Sequence, residues 1–185
     1  MEKQKTKRYF TNKEIVHMAI MAAAMLIVSC ITVPLVLGIT FPGIRTISCG
    51  LFFGVIIALT YVRVPKFGAG TVTTLICSLP MVFFSPVILV FTVAAGFCTD
   101  IYFLIIGKKI TVASTIGLGI VLMGTMMVFG TTMGIVCLHD TTFSALFSNP
   151  LALSTGFLGS AALGGIGSWL ATRIFKEFKQ LNVNE

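Results

Sequence analysis

The sequence predicts an all-α integral membrane protein with six transmembrane helices and both termini cytoplasmic. The first observation behind this is composition. The chain is 56% hydrophobic and 10% charged, with a mean hydropathy of +1.02, whereas soluble domains carry roughly 25% charged residues. The second is that its apolar runs are long and unbroken, not the alternating segments of about 10 residues that mark a transmembrane β-barrel. The third is the placement of the basic residues, which fall between the apolar runs on alternate connections.

The spans follow in order from the need for about 20 mostly apolar residues per crossing. The first covers residues 14–37, with Pro34 near its outer end. A short connection, GITFPGIR, leads to a second at 44–62, and RVPK (Arg63 to Lys66) closes it. Residues 67–107 carry a single charge, Asp100. One helix of that length would measure about 60 Å, twice the hydrocarbon core. SLPMVFFSP, with Pro80 and Pro86 bracketing a turn, therefore divides the stretch into spans at 67–84 and 87–107. Gly107-Lys108-Lys109 ends that hairpin. A fifth span at 111–138, the polar connector HDTTFSALFSNP and a sixth span at 151–173 complete a single membrane domain over 1–185. The tail RIFKEFKQLNVNE is charged and begins with amphipathic spacing.

Charge placement tests the count. Six spans put the N-terminal segment, connections 2–3 and 4–5 and the C-terminal tail on one side, and these hold 12 of the 13 basic residues. Only Arg45 lies opposite. Because positive residues concentrate on the cytoplasmic side, both termini are assigned there; a plasma membrane of prokaryotic type is the expected setting. This distribution accounts for the net charge of +7 without nucleic acid. The run from Ile15 is longer than the apolar core of a cleavable signal peptide and no small-residue cleavage site follows it, so the first helix is expected to remain.

Motifs for catalysis are sparse. The sequence contains no GxSxG, HExxH or GxxxxGK[ST] pattern, and has six acidic residues and two histidines. No enzymatic activity, cofactor or metal is implied, and active transport would draw on a partner or an ion gradient. Cys30, Cys49, Cys77, Cys98 and Cys137 form no CxxC pair and read as small apolar side chains.

Asp100 is the one acidic residue well inside a span. Intramembrane carboxylates are costly and mark functional sites by default, which makes a proton or cation site one reading. Hydrogen bonding to a neighbouring helix, or reach toward the cytoplasmic surface, is the other. Arg45, opposite all other basic residues, suits a two-pronged grip on a carboxylate or phosphate, or an anchor to lipid phosphate. With Phe41, with Phe83, Phe84 and Ser85 in the turn between spans three and four, and with His139, Asp140 and Asn149 in the connector between spans five and six, it outlines a shallow outer pocket with aromatic walls and few polar groups. The substrate-binding candidates are thus Arg45, Phe41, Phe84, His139 and Asn149.

Small residues recur at helical spacing. Ala152, Gly156, Ser160, Gly164 and Ser168 lie four apart in span six, Gly50 and Gly54 in span two, and Gly130 and Gly134 in span five. Such rows let helix backbones approach closely in membranes. Met123, Met126, Met127 and Met133 read as core filling. Trp169, the sole tryptophan, falls at the cytoplasmic end of span six, where an interfacial anchor is expected.

The first helix carries HMAIMAAAMLI, residues 17–27. Ala19 and Ala23 fall one turn apart with Ala22 alongside, and Met18, Met21 and Met25 form a neighbouring stripe. Packing within the bundle explains such a patch, and so does a docking face for another membrane protein. In size, six spans, cytoplasmic termini, basic lead and Ala19-x-x-x-Ala23, the chain resembles the substrate-binding S components of energy-coupling factor (ECF) transporters, a type of ABC transporter. The resemblance covers nearly the whole chain as architecture, and its sequence signal is short. It implies capture of a vitamin or related micronutrient near the outer face. It also implies docking on a transmembrane coupling subunit that carries two cytoplasmic ATPases, with Ala19 and Ala23 at that contact. The competing readings are a solitary ion-coupled carrier or channel that uses Asp100, an assembly protein without a ligand, and, more distantly, an intramembrane enzyme.

Overall fold

The computed structural model describes residues 9–36, 44–83, 85–107, 110–138 and 150–181, with backbone alone at 45, 137–138, 152 and 176–181. Among these the chain is all helical. The helices are α1 (Asn12–Leu35), α2 (Ile44–Arg63), α3 (Ala69–Ser78), a 3₁₀ turn (Pro80–Phe83), α4 (Pro86–Ile105), α5 (Val112–Leu138) and α6 (Pro150–Leu181). Four of them, α1, α2 (from Thr46), α4 and α5, are long and apolar enough to cross a membrane.

Helix starts follow local chemistry. Thr11 caps α1 in a capping box, in which the Glu14 carboxylate accepts from the Thr11 backbone N–H at 2.7 Å. Glu14 also meets Lys66 Nζ at 2.7 Å, and that ammonium donates to the Tyr9 carbonyl at 3.0 Å. Lys66 thereby ties the start of α1 to the α2–α3 connection. Pro86 opens α4 at a position where its missing N–H costs nothing.

The third span departs from expectation. In place of one helix over 67–84, α3 has 10 residues, followed by the four-residue 3₁₀ turn. Two residues set these limits. Gly68 takes φ +91°, a left-handed conformation that glycine adopts without strain, so α3 cannot begin earlier. Pro80 lacks the N–H that would continue the α-helical ladder. The sixth helix departs in the other direction, running past residue 173 to Leu181.

The helices pack in a closed circuit. α1 contacts α2 and α3, α2 contacts α6, α6 contacts α5, α5 contacts α4 and α4 contacts α3, while α2 also crosses to α5. The core contains Met18, Met25, Phe53, Ile57, Tyr61, Phe103, Leu118, Leu122 and Met123. The methionines of α5 expected to fill the core do so at Met123, Met126 and Met127.

Of the small-residue rows expected to bring helices together, those of α2 and α6 lie at the crossing of α2, α5 and α6, whereas a Cβ at Gly130 of the α5 pair would meet only the Phe91 ring, at 4.0 Å. Gly156, Ser160, Gly164 and Ser168 are all buried on α6. A Cβ added at Gly54 or Gly119 would overlap the Gly164 carbonyl, so three backbones meet here with no room for a methyl group. Ser168 Oγ donates to the Gly54 carbonyl at 2.9 Å and adds a cross-helix bond at the same place. Most other buried hydroxyls turn back on their own helix. Ser29, Thr60, Thr73 and Thr99 each donate to the carbonyl four residues earlier, which satisfies them without a partner helix.

Candidate functional site

Asp100 is fully buried on α4, one and a half turns before its end. Four donors surround its carboxylate. Oδ1 accepts from the Tyr61 hydroxyl at 2.6 Å and from the Gly70 backbone N–H at 3.1 Å. Oδ2 accepts from the Thr71 backbone N–H at 2.8 Å and from the Thr71 hydroxyl at 2.5 Å. Every one of these groups donates, so both carboxylate oxygens act as acceptors here.

The arrangement follows from how α3 begins. Gly68 occupies the N-cap position and has no side chain to accept from the first turn. The open N–H groups of Gly70 and Thr71 would stay unpaired inside the bundle, which is costly. Asp100 reaches across from α4 and caps α3 from outside. The carboxyl group also sits at the positive end of the α3 dipole. Close approach of α3 and α4 makes the reach possible, since a Cβ at Gly70 would stand 3.1 Å from the Gly96 carbonyl. Tyr61, from α2, completes the set and packs on Phe103 with ring centres 4.7 Å apart. The hydrogen bonding to neighbouring helices expected as one reading of Asp100 is present, and the surface-reaching variant does not apply to a residue with no exposure.

Nothing in the sequence pattern pointed to Tyr61, Gly70 or Thr71 as partners of Asp100. Two of the four bonds come from backbone N–H groups, which leave no residue signature. The one available signal was the RVPKFG connection, whose glycine at the start of a helix leaves that end without a cap.

On α1 the three alanines separate. Ala22 is fully buried, in line with Met18, Met25 and Ser29, and faces the bundle. Ala19 is half-buried at the margin, and Ala23 is exposed. Ala23 interrupts a stripe of large exposed side chains, Val16, Ile20, Ile27 and Ile31, each close to 60% exposed. The outer face of α1 is therefore an apolar ridge with a notch at Ala23. Only 22% of its apolar window is buried, against 50% for α2 and α5, so α1 is the least enclosed of the four long apolar helices.

The candidate outer pocket is a different matter. Phe41, Phe84, His139, Asp140 and Asn149 lie outside the described residues, and Arg45 is placed by its backbone alone, in the first turn of α2. At the same level of the helices, Thr32 on α1 and Cys49 on α2 form a polar contact of 2.9 Å.

Among the described residues no group of three histidine, cysteine or acidic side chains is placed to hold a metal ion. Comparison of the chain with protein-family models, with characterised proteins and with solved structures returns no match.

Proposed function

We propose that this chain is the substrate-binding S component of an ECF-type ABC transporter. In this reading it captures a vitamin or related micronutrient at the outer face of a cell membrane for ATP-dependent uptake. Its partners are a transmembrane coupling subunit and two cytoplasmic ATPases. The observation that carries the reading is the notched apolar face of α1, where Ala23 is open and Ala19 borders it on a helix with little enclosure. Small residues on an exposed membrane helix let a second helix approach closely, and flanking isoleucines supply dispersion contact on either side. The charge distribution, from which both termini are expected inside, agrees with it. So does the lack of any nucleotide-binding motif, which leaves ATP hydrolysis to the partners.

The test is a double substitution, Ala19→Trp with Ala23→Trp, assayed for co-purification with the coupling subunit, for uptake and for ligand binding. Loss of co-purification and uptake with ligand binding retained is the expected outcome. Full uptake by the double variant would remove the docking role.

A solitary ion-coupled carrier using Asp100 is the second reading, favoured by the presence of a buried intramembrane carboxylate. The four donors around that carboxylate weigh against it, because they leave no evident lone pair directed at a cavity. Uptake that collapses with an uncoupler and fails in Asp100→Asn, in protein of normal stability, would restore it.

A further inference from the structure

A groove runs along the outside of the bundle where α5 and α6 meet. Ile116 and Ile120 form one wall, Ala162, Ile166 and Trp169 the other, and Gly165 lies between them. Every lining side chain is apolar or aromatic. From residue 162 to residue 169 the groove extends about 10 Å along the helix. That is about two-thirds of one leaflet of a hydrocarbon core about 30 Å thick.

The groove ends in a charge. Arg173, exposed and one turn beyond Trp169, stacks its guanidinium on the indole with its carbon 5.2 Å from the ring centre. A guanidinium held over a ring face loses rotamer freedom and turns its edge outward, where two phosphate oxygens can meet it. Trp169 occupies the boundary between apolar groove and basic end, a place that suits its amphipathic ring. Apolar channel, indole and guanidinium follow one another along the helix in the same order as the acyl chain, glycerol region and phosphate of a lipid.

We propose that this groove binds an anionic phospholipid, with one acyl chain between α5 and α6 and the phosphate on Arg173. The charge complementarity at the end of the channel selects this occupant over a partner helix, which would need to bury the guanidinium. The site depends on the membrane reading of the fold and is independent of the transport function proposed above.

Trp169 is the only tryptophan in the chain, so its fluorescence reports on this groove alone. Full-length protein is placed in detergent micelles containing either acyl-brominated phosphatidylglycerol or acyl-brominated phosphatidylcholine, and quenching is followed against lipid mole fraction. A basic side chain near the headgroups is expected to give about a fivefold preference for the anionic lipid. Arg173→Gln should abolish the preference by removing the phosphate contact. Ala162→Phe should abolish it by filling the channel while Arg173 remains. Each variant is checked for native helicity and a monodisperse elution profile, and Ala162→Ile replaces Ala162→Phe should the larger side chain disturb the fold. Equal quenching by the two lipids in the unaltered protein, or a preference that survives either substitution in folded protein, overturns the site.

Discussion

The Tyr61 hydroxyl lies 2.6 Å from Asp100 Oδ1, and both residues are completely enclosed. This contact joins α2 to α4 at the point where α4 also caps α3, so one carboxylate holds three helices in register. Removing either partner leaves a buried polar group short of a bond. Tyr61→Phe is expected to cost about 1–3 kcal/mol, and Asp100→Asn at least as much, because an amide places N–H groups against N–H donors. Thermal unfolding in detergent, followed by circular dichroism, checks both. A double-mutant cycle should show coupling of about 1 kcal/mol.

The meeting of Gly54, Gly119 and Gly164 sets a second expectation. Alanine at any of the three forces backbones apart and should destabilise by about 1–3 kcal/mol or more. Gly130, on the same α5, is the control. A Cβ there would come no nearer than 4.0 Å to Phe91, so Gly130→Ala should be neutral or stabilising by up to about 1 kcal/mol through helix propensity. Comparing the four melting temperatures separates close approach from a general intolerance of side chains at glycine positions.

Ala22 and Ala23 are adjacent in sequence and opposite in surroundings. Ala22→Leu should overpack the core and cost about 1–3 kcal/mol. Ala23→Leu should stay within about 0.5 kcal/mol in the isolated protein. The two melting curves check this directly. Under the docking role proposed above, the order should reverse for association with a partner helix, with the tolerated Ala23→Leu weakening it.

Thiol reactivity reports the same burial pattern. In a Cys137→Ser background, a membrane-permeant maleimide should modify exposed Cys30 readily and Cys98 more slowly. Cys49 and Cys77, both buried, should react only on unfolding. Mass spectrometry of the labelled peptides, with and without denaturant, gives the readout.

Much of this architecture can be read without coordinates, because in a membrane the length of an apolar run largely dictates a helix. The expected second span, 44–62, is α2 almost to the residue, and Pro86 begins α4 one position before the expected start. The outcome differs where local backbone conformation overrides apolar length. α3 carries no charged residue and still spans only 10 residues, since Gly68 and Pro80 confine it. The inward rows of small residues on α6 were also legible, from spacing alone. The surroundings of Asp100 were not, since its partners come from 29 to 39 residues earlier and half of them are main-chain groups. Nor does sequence show that Ala22 turns inward while Ala23 turns out, because α1 is apolar on every side and no polar face reveals its rotation.

The brevity of α3 bears on the surrounding bilayer. Together with its 3₁₀ extension it rises only about 23 Å, well short of a hydrocarbon core about 30 Å thick. A helix too short for its membrane is matched by local thinning of the lipid, and here that thinning would fall on one flank, beside α3, and not on the flank formed by α5. The molecule would thus sit in an uneven dent of its own making. A protein so seated has a built-in direction of lean, because tilting toward the thinned flank requires less further deformation than tilting away from it.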